Sequence, residues 1–264
     1  DDGRYCARRR VSMEGLATLI TFVAFATSVI SAVLGMAGGM ILMGVYAITL
    51  PVQVAMILHG VTQLFANGFR AFFLRERIYT AGLVWYAIGS ALAFGFFTWL
   101  ALVVATPVLF LLLGAIPLTL SLVPLRFAPR FEKRSAAVAC GGLVTAAHLL
   151  VGVSGPLLDV FFVRAELDRF EVIATKAVTQ TAGHALKILY FGVLVPGPPL
   201  EHELPLWLYP ALVACAYLGT KAGGRILEAF TDAGFRRWTG RVVIALSLLY
   251  VWRGAAGLGL PAPW

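Results

Sequence analysis

The chain has 264 residues, of which 60% are hydrophobic and 13% charged, and its mean hydropathy is +0.87. Soluble domains carry roughly 45–50% apolar and about 25% charged residues, so this composition excludes an ordinary water-soluble globule and predicts an integral membrane protein spanned by helices. The net charge of +8 is not a nucleic-acid footprint, because most Lys and Arg stand in short loops between apolar runs, where they hold loops on the cytoplasmic side. A transmembrane β-barrel would need alternating segments of about ten residues, and none is present.

In chain order, residues 1–13 read as a polar N-terminal extension, with Arg8-Arg9-Arg10 ahead of Val11-Ser12-Met13-Glu14. The basic cluster has the character of a signal-peptide n-region, but no small-residue cleavage site follows a short apolar stretch, and Met13 is the expected start. Ten apolar segments follow, at about 14–34, 36–50, 53–74, 80–104, 106–126, 135–151, 155–164, 169–192, 204–228 and 238–258. A crossing takes about 20 residues, so the segments at 36–50 and 155–164 are too short to be regular spans. Each follows a Gly-rich break. Cys6, Cys140 and Cys215 show no metal-ligand spacing, so no metal is expected.

A shift of 117 positions carries Val61-Thr62-Gln63 onto Val178-Thr179-Gln180, and Gly35-Met36-Ala37-Gly38-Gly39 onto Gly152-Val153-Ser154-Gly155-Pro156. The same shift sets His59 on Lys176, Asn67 on His184, Arg70 on Lys187 and Ser31 on His148. The chain is therefore expected to be an all-α polytopic membrane protein of two repeats, 14–131 and 132–264, each of about five helical segments with broken or re-entrant helices at the Gly-rich motifs. Five segments is an odd number, which predicts inverted halves. An insertion near Pro196-Gly197-Pro198-Pro199 shifts the later alignment. Loop charge gives one consistent topology: Arg75 and Arg77, Arg126 to Arg134, Arg164 and Arg169, and Arg236 and Arg237 inside, with Glu201-His202-Glu203 outside.

His59, Thr62, Gln63, Asn67 and Arg70 follow spacings of three and four along one helical face, and Lys176, Thr179, Gln180, His184 and Lys187 repeat the pattern. Ionisable groups in a membrane helix usually face a cavity, a partner or a substrate. Snorkelling is the competing account of Arg70 and Lys187, which stand near predicted helix ends, and interhelical hydrogen bonding that of Gln63 and Gln180. Gly35, Gly38 and Gly39, with Gly152, Ser154 and Gly155, allow a helix to restart, and the free N–H groups of a new half-helix attract anions. Asp159 is the candidate coupling residue, or a neutraliser of Lys176. The bland reading of His148 is a polar group bonded to a neighbouring helix.

On the Gly35–Gly39 stretch and its degenerate copy at Gly152–Pro156, the chain resembles the sulfite exporter TauE/SafE family of membrane transporters, over essentially Glu14 to Gly259. The family has a GxGGG-type stretch near the end of the first helix of each half; Pro156 stands where another glycine is usual. The resemblance implies movement of small sulfur-containing anions (sulfite, thiosulfate, or organosulfonates such as sulfoacetate) across the bacterial cytoplasmic membrane. The expected protein is a secondary transporter, exporting by alternating access with a site between the repeats. It is not an enzyme, and no cofactor is implied, since no GxxxxGK followed by Ser or Thr occurs. Its partners are a small anionic substrate and the lipid bilayer, with no nucleic acid; homo-oligomerisation stays open. The alternatives are an anion channel, or a rhomboid-type intramembrane serine protease using Ser154 within Gly152-Val153-Ser154-Gly155.

Overall fold

The computed structural model describes residues 2–34, 36–195, 204–227 and 232–260, with side chains from residue 13 onward apart from 34, 125, 227 and 232–237. Among the described residues there are ten α-helices and no strand: α1 (Asp2–Leu34), α2 (Met36–Thr49), α3 (Val52–Phe73), α4 (Leu83–Leu100), α5 (Thr106–Ser121), α6 (Arg134–Val151), α7 (Gly155–Phe162), α8 (Arg169–Leu189), α9 (Leu208–Leu227) and α10 (Asp232–Gly257). These follow the ten apolar segments in order. Helix α1 starts upstream of its apolar segment and takes in residues of the polar extension. The expected short elements are short: α2 has 14 residues and α7 has 8. Gly35, the Pro196-Gly197-Pro198-Pro199 insertion and Glu201-His202-Glu203 lie outside the described residues.

Local chemistry sets the breaks. Helix α6 ends where Gly152 takes φ +78°, a conformation that favours glycine, and α7 restarts with Pro156 in its first turn, where no N–H is missed. Pro51 caps the start of α3. Helix α8 opens with a capping box, in which the Asp168 carboxylate accepts from the Phe170 and Glu171 backbone N–H groups while the Glu171 side chain accepts from the Asp168 N–H. At its far end α8 widens into a π-helical turn at Tyr190–Leu194.

Among the described residues, three helices are long and apolar enough to cross a membrane: Met13–Val33 of α1, α4 and α6. Helices α3 and α8 are of spanning length, at 22 and 21 residues, but carry the polar faces. They pack on each other, with α9 and α4 beside them. Large apolar side chains such as Phe22, Leu92, Trp99 and Leu248 face outward, as in a bundle whose solvent is hydrocarbon.

The long pairings are α1 with α9, α4 with α6, α3 with α8, and α5 with α10. If α1–α5 are exchanged with α6–α10 in order, this set reproduces itself: α1·α9 becomes α6·α4, and the other two pairs map onto themselves. Helices α3 and α8 run antiparallel, since Gly60 faces Lys187 and Ile188 whereas Gly68 faces Thr181. Gln53, at the start of α3, donates to the Phe191 and Val195 carbonyls beyond the end of α8 (2.7 and 3.0 Å).

The loops after α3, α5 and α7 gather at one end of the bundle. Arg77 meets Asp168 at 3.7 Å, Arg130 meets Glu166 at 2.7 Å, and Arg164 donates to the Arg126 and Ala128 carbonyls at 2.7 and 3.3 Å. Three of the four basic loop groups expected on one side thus lie together; the side chains of Arg236 and Arg237 are outside the description.

Glycines let the long pairs touch. A Cβ at Gly89 would collide with the Val138 carbonyl of α6, and one at Gly141 with the Tyr86 carbonyl of α4. Gly89→Leu should therefore separate α4 from α6 and cost about 1–3 kcal/mol or more. Gly95→Ala, with open space around it, should leave the melting temperature of the detergent-solubilised protein unchanged. A second outcome concerns pH. The backbone N–H of Glu171, helped by that of Phe170 and by Arg77, holds the Asp168 carboxyl below the ordinary aspartate range. Its contribution is complete above that range and is lost as pH falls through the lowered value. The gap in thermal stability between wild type and Asp168→Ala should be full at neutral pH and close in acid, and Asp168→Asn should keep most of the cap.

Candidate functional site

The polar faces of α3 and α8 meet at the centre of the bundle, where four basic side chains are fully or almost fully buried: His59, His148, His184 and Lys187. Lys187 Nζ stands 2.7 Å from His59 Nδ1 and donates to the Gly152 carbonyl at 3.0 Å. His59 Nε2 is 3.0 Å from the Gly39 carbonyl. A carbonyl only accepts, so Nε2 carries the hydrogen and Nδ1 receives from Lys187. The two Gly-rich breaks therefore converge on one amine: Gly39 holds His59, and Gly152 holds Lys187 directly. The exposed carbonyl of Gly152 is available because this residue leaves the helix in the left-handed conformation.

The His184 ring lies between the other two imidazoles, with centroids 5.4 Å from His59 and 4.4 Å from His148. Ser154, buried just before α7, places its Oγ 2.8 Å from His148 Nε2. Three polar atoms at this centre are buried with no hydrogen-bond partner: Nδ1 of His148, Nδ1 of His184 and Nε2 of Gln63. The Gln63 amide faces Gly39, close enough that a Cβ there would be in van der Waals contact with it. No Asp or Glu among the described residues is hydrogen-bonded or ion-paired to the cluster. Nor do His, Cys, Asp and Glu among them form a group able to hold a metal ion.

The remaining predicted residues sort into two further groups. Gln63, Asn67 and Arg70 form a chain along α3: Asn67 Nδ2 donates to the Gln63 carbonyl (2.9 Å), and Arg70 Nη2 to the Ser31 carbonyl of α1 (3.3 Å). Lys176 is ion-paired with Asp159, and the Asp159 side chain is 40% exposed, so this pair stands at the edge of the structure. Lys176 and Lys187 are eleven residues apart on α8, about 16 Å along the axis. Thr62 and Thr179 are buried, but each hydroxyl donates within its own helix, to the Leu58 and Lys176 carbonyls. Gln180 is partly buried. Gly38 and Gly155 serve packing: a Cβ at Gly38 would strike α1 at Thr27 and Ser31, and one at Gly155 would strike Met36.

One expectation changes. Snorkelling does not describe Lys187, which is fully buried with both its partners inside the bundle. His148, read from the sequence as a polar group bonded to a neighbouring helix, is bonded to Ser154 at the N-cap of α7, and its ring also packs on His184 of α8. Its signal was available: an imidazole in an apolar helix, opposite Ser31 at the repeat offset.

Comparison with known protein families, characterised proteins and solved structures finds no match for this chain.

The two lysines of α8 predict unequal costs. Lys187→Ala opens a cavity and strands His59 Nδ1 and the Gly152 carbonyl, which should cost about 2–5 kcal/mol. Lys176→Ala removes a half-open ion pair and should cost under about 1 kcal/mol. Thermal melts of both variants in one detergent check the contrast.

Proposed function

We propose that this protein is a secondary transporter of small sulfur-containing anions, such as sulfite, thiosulfate or an organosulfonate. It works by alternating access in a bacterial cytoplasmic membrane, moves its substrate outward, and has its site between two inverted halves. The observation that carries the reading is the buried centre, where Lys187 and three imidazoles come together with no carboxylate and with unpartnered nitrogen atoms beside them. Buried polar atoms are normally paired. An oxyanion would accept from the Lys187 amine, the Gln63 amide and the imidazole N–H groups, supplying the acceptors this centre lacks.

The pairing pattern supports the inverted arrangement. The set of long helix pairs is unchanged when the halves are exchanged, and the corresponding helices α3 and α8 run in opposite directions. Both features support a reading in which the halves are related by a two-fold axis in the membrane plane, with a site at their interface. The basic loops gathered at one end support a cytoplasmic placement of that end. Enclosure of the cluster fits an occluded stage of the cycle, from which opening toward either side requires the halves to rock.

The test is flux through proteoliposomes. Gln63→Ala combined with Gln180→Ala should slow sulfite or thiosulfate counterflow at least about tenfold, equivalent to losing roughly one charge-assisted hydrogen bond. Wild-type rates in the double variant would remove the site from the polar faces of α3 and α8.

A second reading rests on Ser154 and His148, whose 2.8 Å contact is that of a nucleophile and its base. Two features weigh against hydrolysis. His148 Nδ1 has no acid to orient it, and the crevice beside Ser154 is about 10 Å³, room for about one water. Cleavage of a membrane peptide that disappears in Ser154→Ala would favour the hydrolase; no cleavage by wild type would remove it.

A further inference from the structure

We infer that the buried centre takes up its anion together with a proton, and that the cluster of Lys187, His59, His184 and His148 holds that proton. This rests on the transport reading above and moves the coupling role away from Asp159, which is committed to Lys176 at the edge of the structure.

The four basic side chains are shut off from water. The other polar groups around them are already used or carry no charge. Tyr86 of α4 gives its hydroxyl to the Thr179 carbonyl, Ser154 is on His148, and the Gln63 side-chain oxygen accepts from Asn67. A net charge held in such surroundings without a counter-charge is costly. An anion entering alone and a proton entering alone are each opposed, whereas a monovalent anion, such as hydrogensulfite or a monosulfonate, entering with one proton leaves the charge of the site unchanged.

The nitrogen atoms needed to receive the proton are present. Nδ1 of His148 and Nδ1 of His184 are buried without partners, and the His184 ring bridges those of His59 and His148. A proton from water forms an N–H bond on an imidazole lone pair of this cluster, and a bound oxyanion accepts from that N–H. On release, the N–H bond breaks to water on the opposite side as the anion leaves. No oxidant, reductant or further reactant enters.

The repeat sharpens the assignment. The positions corresponding to His184 and His148 are Asn67 and Ser31, which do not titrate, and the Asn67 amide is already engaged by Gln63 and Arg70. Proton holding therefore belongs to one end of the α3–α8 contact. Direction is then set by the sum of the two gradients: outward movement proceeds while the anion gradient exceeds the inward proton gradient.

The experiment uses the full-length protein in proteoliposomes, with radiolabelled sulfite, an internal pH dye and the membrane potential clamped at zero by potassium and valinomycin. Protein-free liposomes provide the blank. Acid outside should drive sulfite accumulation in wild type, and the dye should report about one proton per anion. His184→Gln, and His184→Asn carrying the residue of the first half, should lower the ratio of gradient-driven uptake to counterflow at least about tenfold. Either variant serves if it elutes as a single folded species. Counterflow in wild type with no effect of the pH gradient and no dye signal overturns proton uptake and leaves the transport reading standing. Absence of sulfite and thiosulfate counterflow in wild type overturns the transport reading and the inference with it. A wild-type ratio in both variants overturns the role given to the histidine cluster.

Discussion

The constraint on which the structure depends is the burial of one amine. Lys187 sits inside an apolar bundle with no acid beside it among the described residues, and its two contacts are an imidazole of α3 and a backbone carbonyl of the α6–α7 break. Both must be brought within hydrogen-bond reach, because a buried donor left unpaired costs about 1–3 kcal/mol. Much of the architecture follows. Helices α3 and α8 have to lie antiparallel and close, which Gly60 permits by leaving room for the lysine stem and for Ile188. Helix α6 has to stop at Val151 and turn its next carbonyl inward, which Gly152 permits at positive φ. A wall of apolar helices has to keep this interior from the surrounding solvent.

Against that frame, the difference between the halves has a physical meaning. At the repeat offset, His184, Lys187 and His148 correspond to Asn67, Arg70 and Ser31. Asn67 and Arg70 satisfy one another and the Ser31 carbonyl. Their counterparts around Lys187 leave imidazole nitrogens unpaired. One end of the α3–α8 contact is thus a closed hydrogen-bond chain along a helix, and the other is a cluster with spare capacity.

The same architecture separates two kinds of charge. Arg77, Arg130 and Arg164 tie three loops together at one end through exposed or partly exposed contacts, each worth little alone. Lys176 and Asp159 form a further peripheral pair. These groups orient and fasten the bundle, while the buried centre keeps its basic groups free of carboxylates. In the transport proposal the distinction matters: a carboxylate near Lys187 would compete with the anion for the same donors.

How much was legible in the residues can be argued from the same groups. Apolar runs and their glycine breaks marked the ten helices, because hydrophobic length and helix-stopping residues are local properties. The capping box from Asp168 to Glu171 and the restart at Pro156 belong to the same class. Spacings of three and four placed His59 and Gln63 on one face of α3, and His184 and Lys187 on one face of α8, since the helix period alone decides which side chains share a face. Contact between faces was another matter. That Lys187 meets His59 rather than snorkelling, that Lys176 is spent on Asp159, and that His148 belongs to the centre all depend on the antiparallel register of α3 against α8 and on where the α6–α7 break turns. The amino-acid sequence by itself determined the helices, their breaks and their polar faces; only the tertiary structure decided which of those polar groups would be paired and which left waiting, because pairing is set by distances between segments far apart in the chain.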